Sequence, residues 1–323
     1  MSVPAGPRAW LVPAVLLVVA LAYPLVLRSN FAINFGILVL FYAFLGQSWN
    51  IAGGYAGQLS FGHVAFFGAG AYCSTILQLK LGMNPWLGLP AAAAAGGLVG
   101  TLIAVLSFRA GLKGSYFALI TLSFSEVLRI LANSFQFTGA GLGLLIPLKP
   151  SAANFQFPER IGFYYTAVAL AGISVAVAIW LGRSRFGARL AAIRENEDAA
   201  RALGINAFRE KVKVMALSGA LCGTGGTFYA QYYLYIDPAI SFGIDKSVEM
   251  LLVTMIGGAG TVYGPLIGAF LLTLVGELTR SVTDFPGLSL IIYGALLIVI
   301  IGFLPNGLVD LFKLRWKRGK RRA

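Results

Sequence analysis

Charged residues are scarce in this sequence. Only 11% of its 323 residues are Asp, Glu, Lys or Arg, and 58% are hydrophobic, whereas a soluble domain has about 25% charged residues. This composition excludes an ordinary soluble protein and a disordered chain. Charge-free runs reach the roughly 20 apolar residues that a membrane-spanning helix needs, and a lone strand would leave backbone groups unpaired in lipid. The sequence therefore predicts an all-α, polytopic membrane helix bundle.

The residues that build catalytic and metal sites are also few. There is a single histidine, His63, and the two cysteines, Cys73 and Cys222, lie in apolar helical segments without metal-ligand spacing. We interpret the cysteines as small packing residues. The chain contains no Gly-x-x-x-x-Gly-Lys-Ser/Thr phosphate loop. We therefore expect no catalytic residue, no metal site, no enzyme activity and no cofactor bound by this chain. If the chain carries out active transport, a partner would have to hold the ATP and Mg²⁺.

Ten membrane segments are predicted, and two of them form a broken pair. The sequence Gly257-Gly258-Ala259-Gly260, followed by Pro265, interrupts the apolar run from Met250 to Val275, as expected for a turn between two helical limbs. The glycine-rich segment 130–148 is interpreted as a loop. The predicted crossings are 10–27, 31–51, 59–79, 86–108, 114–133, 161–182, 213–235, 247–257, 262–278 and 287–304.

The distribution of basic residues predicts the orientation. The formal net charge is +13, but in a membrane protein basic residues report orientation rather than nucleic-acid binding. With ten crossings and both termini in the cytoplasm, 18 basic residues are inside and 7 outside, in agreement with the positive-inside tendency. The predicted organisation is a cytoplasmic N-terminus 1–9, a transmembrane domain 10–304 with a cytoplasmic loop 183–213, and a basic cytoplasmic tail 305–323.

Glycine is abundant, at 40 residues, and its spacing predicts close helix packing. Gly96 and Gly100 lie four residues apart, as do Gly219 and Gly223, and small residues at this spacing let helix backbones touch. The clusters Ala52–Gly57 and Gly257–Gly260 are different, because glycines that break helices at membrane depth often line a transport path.

The loop 183–213 is the longest charged stretch between spans. Within it, Arg189–Leu203 is predicted to be one helix that ends at Gly204. Five residues are predicted to share one face, namely Ala192, Ile193, Ala199, Ala200 and Leu203. Periodicity alone leaves two interpretations open, a docking surface for another protein and an ordinary solvated loop.

Several polar residues are candidates for a translocation path. Each has a plainer interpretation as well: helix-to-helix hydrogen bonding for the neutral groups, solvation at a span end for the acidic ones, and polar packing for His63. The candidates retained for a path are Gln58, Ser60, His63, Glu126 and Glu249, with Gln47, Ser48 and Glu277 considered alongside them.

Four stretches carry a resemblance to a known family. Asp198-Ala199-Ala200 followed by Gly204 is similar to the core of the EAA loop of ATP-binding-cassette importer permeases, although the later Ile-x-Leu-Pro part of that loop is absent. The segments 50–72, 116–127 and 257–268 resemble the marks of LivM-type permeases of branched-chain amino-acid importers, and the likeness extends over residues 31–304. Thr138-Gly139-Ala140-Gly141 departs from the Thr-Gly-Gly that this family often has.

The resemblance implies a permease subunit in the bacterial inner membrane. It implies a LivH-type permease partner, two cytoplasmic ATPase subunits, a periplasmic substrate-binding protein and a path for branched-chain or related small amino acids. The alternative is a secondary transporter or channel for a small polar solute such as urea or amides. The loop helix would couple the chain to the ATPases through Arg194, Glu197, Asp198, Ala199, Ala200 and Gly204.

Overall fold

The structure is a computed structural model that describes residues 11–282 and 291–295, with positions 298, 302, 304 and 307–309. The predicted segment 1–9, most of the span 287–304 and most of the tail 305–323 lie outside these residues. In the described part the α-helices are α1 Leu11–Val26, α2 Asn30–Asn50, α3 His63–Leu81, α4 Pro85–Arg109, α5 Gly114–Ser134, α6 Arg160–Arg183, α7 Arg185–Glu195, α8 Glu197–Ala202, α9 Ala207–Tyr233, α10 Pro238–Phe242, α11 Ile244–Gly257 and α12 Gly264–Val282.

The fold is almost entirely helical, as predicted, with one small exception. The two-residue strands β1 (Leu144–Leu145) and β2 (Tyr235–Ile236) pair antiparallel, with Leu144 opposite Ile236. Short 3₁₀ turns at Gln136–Thr138, Ala140–Leu142 and Ala152–Asn154 fill the loops around this ladder. The segment 130–148 is therefore loop only after α5 ends at Ser134.

By length and composition, five helical stretches of the described chain are able to cross a membrane. They are Asn30–Tyr55, His63–Leu81, Pro85–Arg109, Gly114–Ser134 and Arg160–Arg183. Two helices do not start where the predicted crossings do. Helix α3 starts at His63, after residue 59. Helix α9 starts at Ala207, before residue 213, because Asn206 caps it by accepting from the Arg209 amide at 3.0 Å.

Small residues bring α3, α4 and α9 into backbone contact. A Cβ placed on Gly96 of α4 would meet the carbonyl oxygen of Gly219 in α9, and one on Gly70 of α3 would meet that of Gly223. The spacing of Gly96 with Gly100 and of Gly219 with Gly223 therefore serves packing, as predicted. Cys222 is fully buried in α9, and both cysteines are free.

The bundle has two distinct ends. We call the end that carries α7, α8 and the turn between α11 and α12 the loop end, and the end that carries β1 and β2 the ladder end. Pro13 of α1 shares a cavity wall with Arg183 and Ser184, and the Leu308 amide donates to the Ile256 carbonyl at 2.9 Å. The first and the last residues that the structure describes therefore lie near the loop end.

Gly96→Ala tests the close contact between α4 and α9. The added methyl group would clash with backbone that cannot move away easily, so we expect a loss of about 1–3 kcal/mol in stability. The readout is the thermal denaturation midpoint of the protein in detergent.

Gly172→Ala is the matched control. Gly172 lies inside α6, and a Cβ there meets no atom within 4 Å, so alanine should leave the midpoint unchanged or raise it slightly. Equal midpoints for the two variants would show that the α4–α9 contact does not depend on glycine.

Candidate functional site at the helix breaks

The first helix break follows α2. After Asn50 the chain makes a π-helical turn over Ile51–Tyr55, and Gly57 then takes a left-handed conformation at φ +67°. The Gln58 amide donates to the Ala52 carbonyl at 3.0 Å rather than to Gly54, four residues before it. The carbonyl of Gly54 therefore lacks the helical partner that a continuous α-helix would provide.

The second break separates α11 from α12. Gly258 and Gly260 have φ values of +127° and +72°, which L side chains rarely adopt. The limbs fold back on each other tightly, since a Cβ on Gly268 would meet the Val253 carbonyl. The predicted Gly-broken pair is confirmed as a hairpin of two helices.

The side chain of Asn50 joins the two breaks. Its Oδ1 accepts from the Gly260 amide at 2.7 Å, and its Nδ2 donates to the Thr261 carbonyl at 2.9 Å. Asn50 is fully buried. One amide thus pairs a backbone donor and a backbone acceptor that the second break has exposed, and both would be costly to leave unpaired.

The loop after α6 differs from its prediction. Arg189–Leu203 was expected to form one helix, but α7 ends at Glu195 and α8 begins at Glu197. Asn196 separates them because its Oδ1 accepts from the amides of Asp198 and Ala199, at 3.1 and 3.0 Å, and so starts a new helix. The stop at Gly204 is as predicted, with φ +82°.

The five residues that were predicted to share one face of this loop do not lie on one side of it. Ile193 and Ala200 are buried together with Ala207, whereas Leu203 is 81% exposed. Ala199 is exposed as well. The change of direction at Asn196 turns α8, so residues that one straight helix would align lie on different sides.

Glu197 is the centre of an ion-pair cluster at the loop end. Its carboxylate lies 3.0 Å from Lys211 Nζ and 3.8 Å from Lys113 Nζ, and it also pairs with Arg201. Lys211, in the first turn of α9 and outside the predicted span, has a side chain only 3% exposed. Burial lowers the pKa of the Lys211 ammonium, and the bond to Glu197 opposes that shift. The cluster fastens α8 to α5 and α9.

The six residues predicted to contact an ATPase have different surroundings. Asp198, Ala199 and Gly204 are exposed, whereas Ala200 is buried and Glu197 nearly so. The Arg194 side chain is 35% exposed and pairs with Glu195 through Nη2, while its Nη1 reaches inward and donates to the Gly54 carbonyl at 2.8 Å. Sequence periodicity did not indicate this inward direction.

His63 lies fully buried between α2, α3 and α9. Its Nε2 is 2.8 Å from Ser218 Oγ, and that hydroxyl donates to the Ser48 carbonyl at 2.6 Å. The serine proton is thus committed to Ser48, so His63 Nε2 is the donor of the first bond. Trp49, whose ring faces His63, donates from Nε1 to the Ser60 carbonyl at 2.8 Å.

Three other predicted path residues, Gln58, Glu126 and Glu249, do not gather around His63. Glu126 forms a bidentate pair with Arg129 on an exposed face of α5, at 2.6 and 2.8 Å. Glu249 pairs with Lys246 at 3.0 Å. Gln58 donates to the carbonyl of Ala56 at 2.8 Å. A path role for these residues stays a prediction.

A polar cavity of about 430 Å³ lies at the ladder end. The sequence analysis did not single it out, because its residues come from four distant parts of the chain. Its polar lining is made by Asn34, Gln156, Arg160, Gln231, Tyr232 and Arg280. Among the described residues, no group of three or more His, Cys, Asp or Glu is arranged to hold a metal ion.

Comparison with known proteins agrees with this geometry. The features described so far define a membrane-type helix bundle with two broken helices joined at one end. Residues 31–301 match the model of the family described as branched-chain amino acid transport system / permease component. The chain belongs to this family. No solved structure matches it.

Three individual relatives are also permease proteins of transport systems. The chain is 30% identical to the high-affinity branched-chain amino acid transport system permease protein LivM of Escherichia coli, over 94% of this chain and 76% of that protein. It is 23% identical to the LivH permease of Salmonella typhimurium, over 83% and 91%. It is 28% identical to the nucleoside ABC transporter permease protein NupC of Lactococcus lactis, over 68% and 73%.

Glu197→Gln tests whether the ion-pair cluster holds the loop. The amide would leave the buried Lys211 ammonium without a carboxylate, so we expect a loss of roughly 3 kcal/mol in stability. The measurement is again thermal denaturation in detergent.

Asp198→Asn serves as the control. Its side chain is 81% exposed and lies 3.6 Å from Lys113, and exposed pairs contribute about 0–1 kcal/mol. If both variants lowered the denaturation midpoint equally, the cluster would not be what fastens α8.

Proposed function

We propose that this chain is a transmembrane permease subunit of an ATP-driven importer for branched-chain or related small amino acids. Two separate ATPase subunits dock at the loop end and hold the ATP and Mg²⁺. A LivH-type permease completes the membrane part, and a periplasmic binding protein delivers solute at the ladder end. Membership of the permease family, with LivM and LivH as relatives, is the observation that carries this proposal.

The loop end offers a surface that suits a soluble partner. Leu203 is 81% exposed and Asp198 has a side chain 81% exposed, and exposed Gly204 lies beside them. Burial of an exposed leucine side chain is favourable, so Leu203, which lies outside the apolar spans, is a suitable anchor for a protein interface. We call Asp198, Ala199, Leu203 and Gly204 the docking surface.

The proposed orientation has the loop end in the cytoplasm of a bacterial cell, in ten crossings of the inner membrane with both termini inside. Supporting it, the described chain begins and finishes at the loop end. The basic loop 183–213, together with Arg109 and Lys113, lies at that end, which favours the cytoplasmic side.

The proposed transport step is a change between two states of the bundle. ATP binding draws the two ATPase subunits together and moves the docked α7 and α8. The helices attached to them then tilt, and the opening passes from one end to the other. Nucleotide can drive this change only if it binds the two states with different affinity.

The identity of the transported solute is a further part of the proposal. The polar cavity at the ladder end carries two arginines, which suit the carboxylate of an amino acid. The NupC relative is named as a nucleoside permease, so branched-chain amino acids and nucleosides are both to be offered in the uptake assay. Binding measurements on the associated periplasmic protein identify the solute.

Leu203→Asp tests the docking surface. A charge at an apolar anchor should weaken ATPase binding by roughly tenfold or more, because such anchors contribute about 1–2 kcal/mol. The measurements are recovery of ATPase subunits with the purified permease and ATP-dependent uptake in vesicles.

The matched control is Leu142→Asp, at a leucine 87% exposed on the ladder end. It should leave ATPase recovery unchanged. Full recovery and uptake with Leu203→Asp would contradict docking at α8. Uptake by the purified permease without any ATPase would instead favour a secondary transporter or channel.

A further inference from the structure

We propose that Arg194 is the positioning residue that transmits movement of the loop 183–213 to both helix breaks at once. This inference rests on the proposed function, because it concerns how an ATPase bound at the docking surface would move the membrane helices. It names one side chain as the link between the loop and the place where α2, α11 and α12 are interrupted.

The first observation is the position of the Arg194 side chain at the first break. Nη1 donates to the Gly54 carbonyl at 2.8 Å, the oxygen that the π-helical turn leaves without its helical donor. A Cβ on Gly57 would lie 2.7 Å from Arg194 Cγ. The aliphatic part of Arg194 therefore fills the space that the glycine leaves open.

The second observation is that the same guanidinium reaches the second break. A Cβ on Gly260 would lie 2.7 Å from Arg194 Nη1. The Gly260 amide is held by Asn50 Oδ1, so the contacts run from Arg194 through Gly54 and Asn50 to Gly260. Residues from three parts of the sequence are joined around one cation.

Two other ion-paired groups of the loop are attached elsewhere. Arg189 pairs with Glu210 at 3.0 Å, and Glu197 pairs with Lys211 and Lys113, so both fasten the loop to the starts of α9 and α5. Leu190 adds apolar contact with Ile51 and Tyr55 at the first break. Arg194 is the side chain by which α7 touches both breaks with hydrogen-bonding groups.

Arginine suits this role for a physical reason. A guanidinium donates charge-assisted hydrogen bonds, which are shorter and stronger than neutral ones, from a rigid planar fork. Nη2 pairs with the exposed Glu195 carboxylate at 3.2 Å, whereas Nη1 contacts backbone, so displacement of α7 is carried through Nη1 to the main chain of the first break. A lysine in its place would donate to Gly54 from a single point and would lack the planar group beside Gly260.

The test compares Arg194→Ala with Arg185→Ala in the complete transporter reconstituted in vesicles. Arg185 is the exposed first residue of α7 and lies outside the docking surface. Uptake and ATP hydrolysis are measured together, with recovery of ATPase subunits as a check on docking. We expect Arg194→Ala to lower the solute imported per ATP hydrolysed at least tenfold while ATPase recovery stays normal, with Arg194→Lys intermediate and Arg185→Ala at the wild-type ratio.

Equal ratios for Arg194→Ala and Arg185→Ala would overturn the inference while leaving the proposed function intact. Absence of ATP-dependent uptake in the wild-type complex would overturn the proposed function itself. The two failures are therefore distinguishable in one data set.

A disulfide provides a version of the test in which the oxidised and reduced forms of one protein are compared. A Cβ on Gly57 would lie 3.5 Å from the Cβ of Arg194, at the short limit for a disulfide. A cysteine at φ +67° is strained, but this strain is present in both the oxidised and the reduced protein and so does not affect their comparison. In a background with Cys73 and Cys222 changed to Ala, we expect Gly57→Cys with Arg194→Cys to import more solute per ATP when oxidised than when reduced, because the covalent bond replaces the arginine link. Arg194→Cys alone should not respond to oxidation. A ratio that is unchanged or lower on oxidation would overturn the proposal.

Discussion

The loop end is organised by one constraint: a backbone group freed from a helix inside a membrane must find another partner. Two helices break here, and side chains pair groups that the breaks free. Asn50 takes one donor and one acceptor of the second break, and Arg194 takes the Gly54 carbonyl of the first. Because these side chains reach across elements, pairing the free groups also ties the elements together.

This constraint gives the two ends of the molecule different properties. At the loop end, glycines open space, a buried amide and a guanidinium fill it, and the Glu197 cluster holds the loop against α5 and α9. At the ladder end, a short β-ladder and a polar cavity lie between the helices. A force applied to the loop would therefore reach the interrupted helices first, where the backbone has the fewest helical bonds to resist it.

Much of this architecture could be predicted from the sequence, because its signals are local. Runs of apolar residues locate the spans, the glycine clusters locate both breaks, and Gly204 ends α8 as expected. The break at Asn196 was missed, since its capping oxygen competes with an otherwise favourable helical pattern. Asparagine just before Glu-Asp was the signal that could have indicated a new helix start.

The contacts that define the candidate site could not be predicted from periodicity. Asn50 and Thr261 are 211 residues apart, and no spacing rule relates positions so distant. The inward direction of Arg194 likewise depends on how α7 packs against the π-helical turn. Among the predicted path residues, Glu126 and Glu249 were chosen for polarity near span ends, and the structure gives each a local partner, Arg129 and Lys246.

The central claim is that Asn50 joins the two breaks into one unit, and amide hydrogen exchange measures this directly. Asn50→Ala removes both of its bonds to the second break, so exchange should become about tenfold faster, equivalent to about 1.4 kcal/mol, in residues 257–264 as well as in residues 51–58. Asn133→Ala, at an exposed amide on α5, should change neither segment. Faster exchange confined to residues 51–58 would contradict the claim, because the second break would then hold its structure without Asn50.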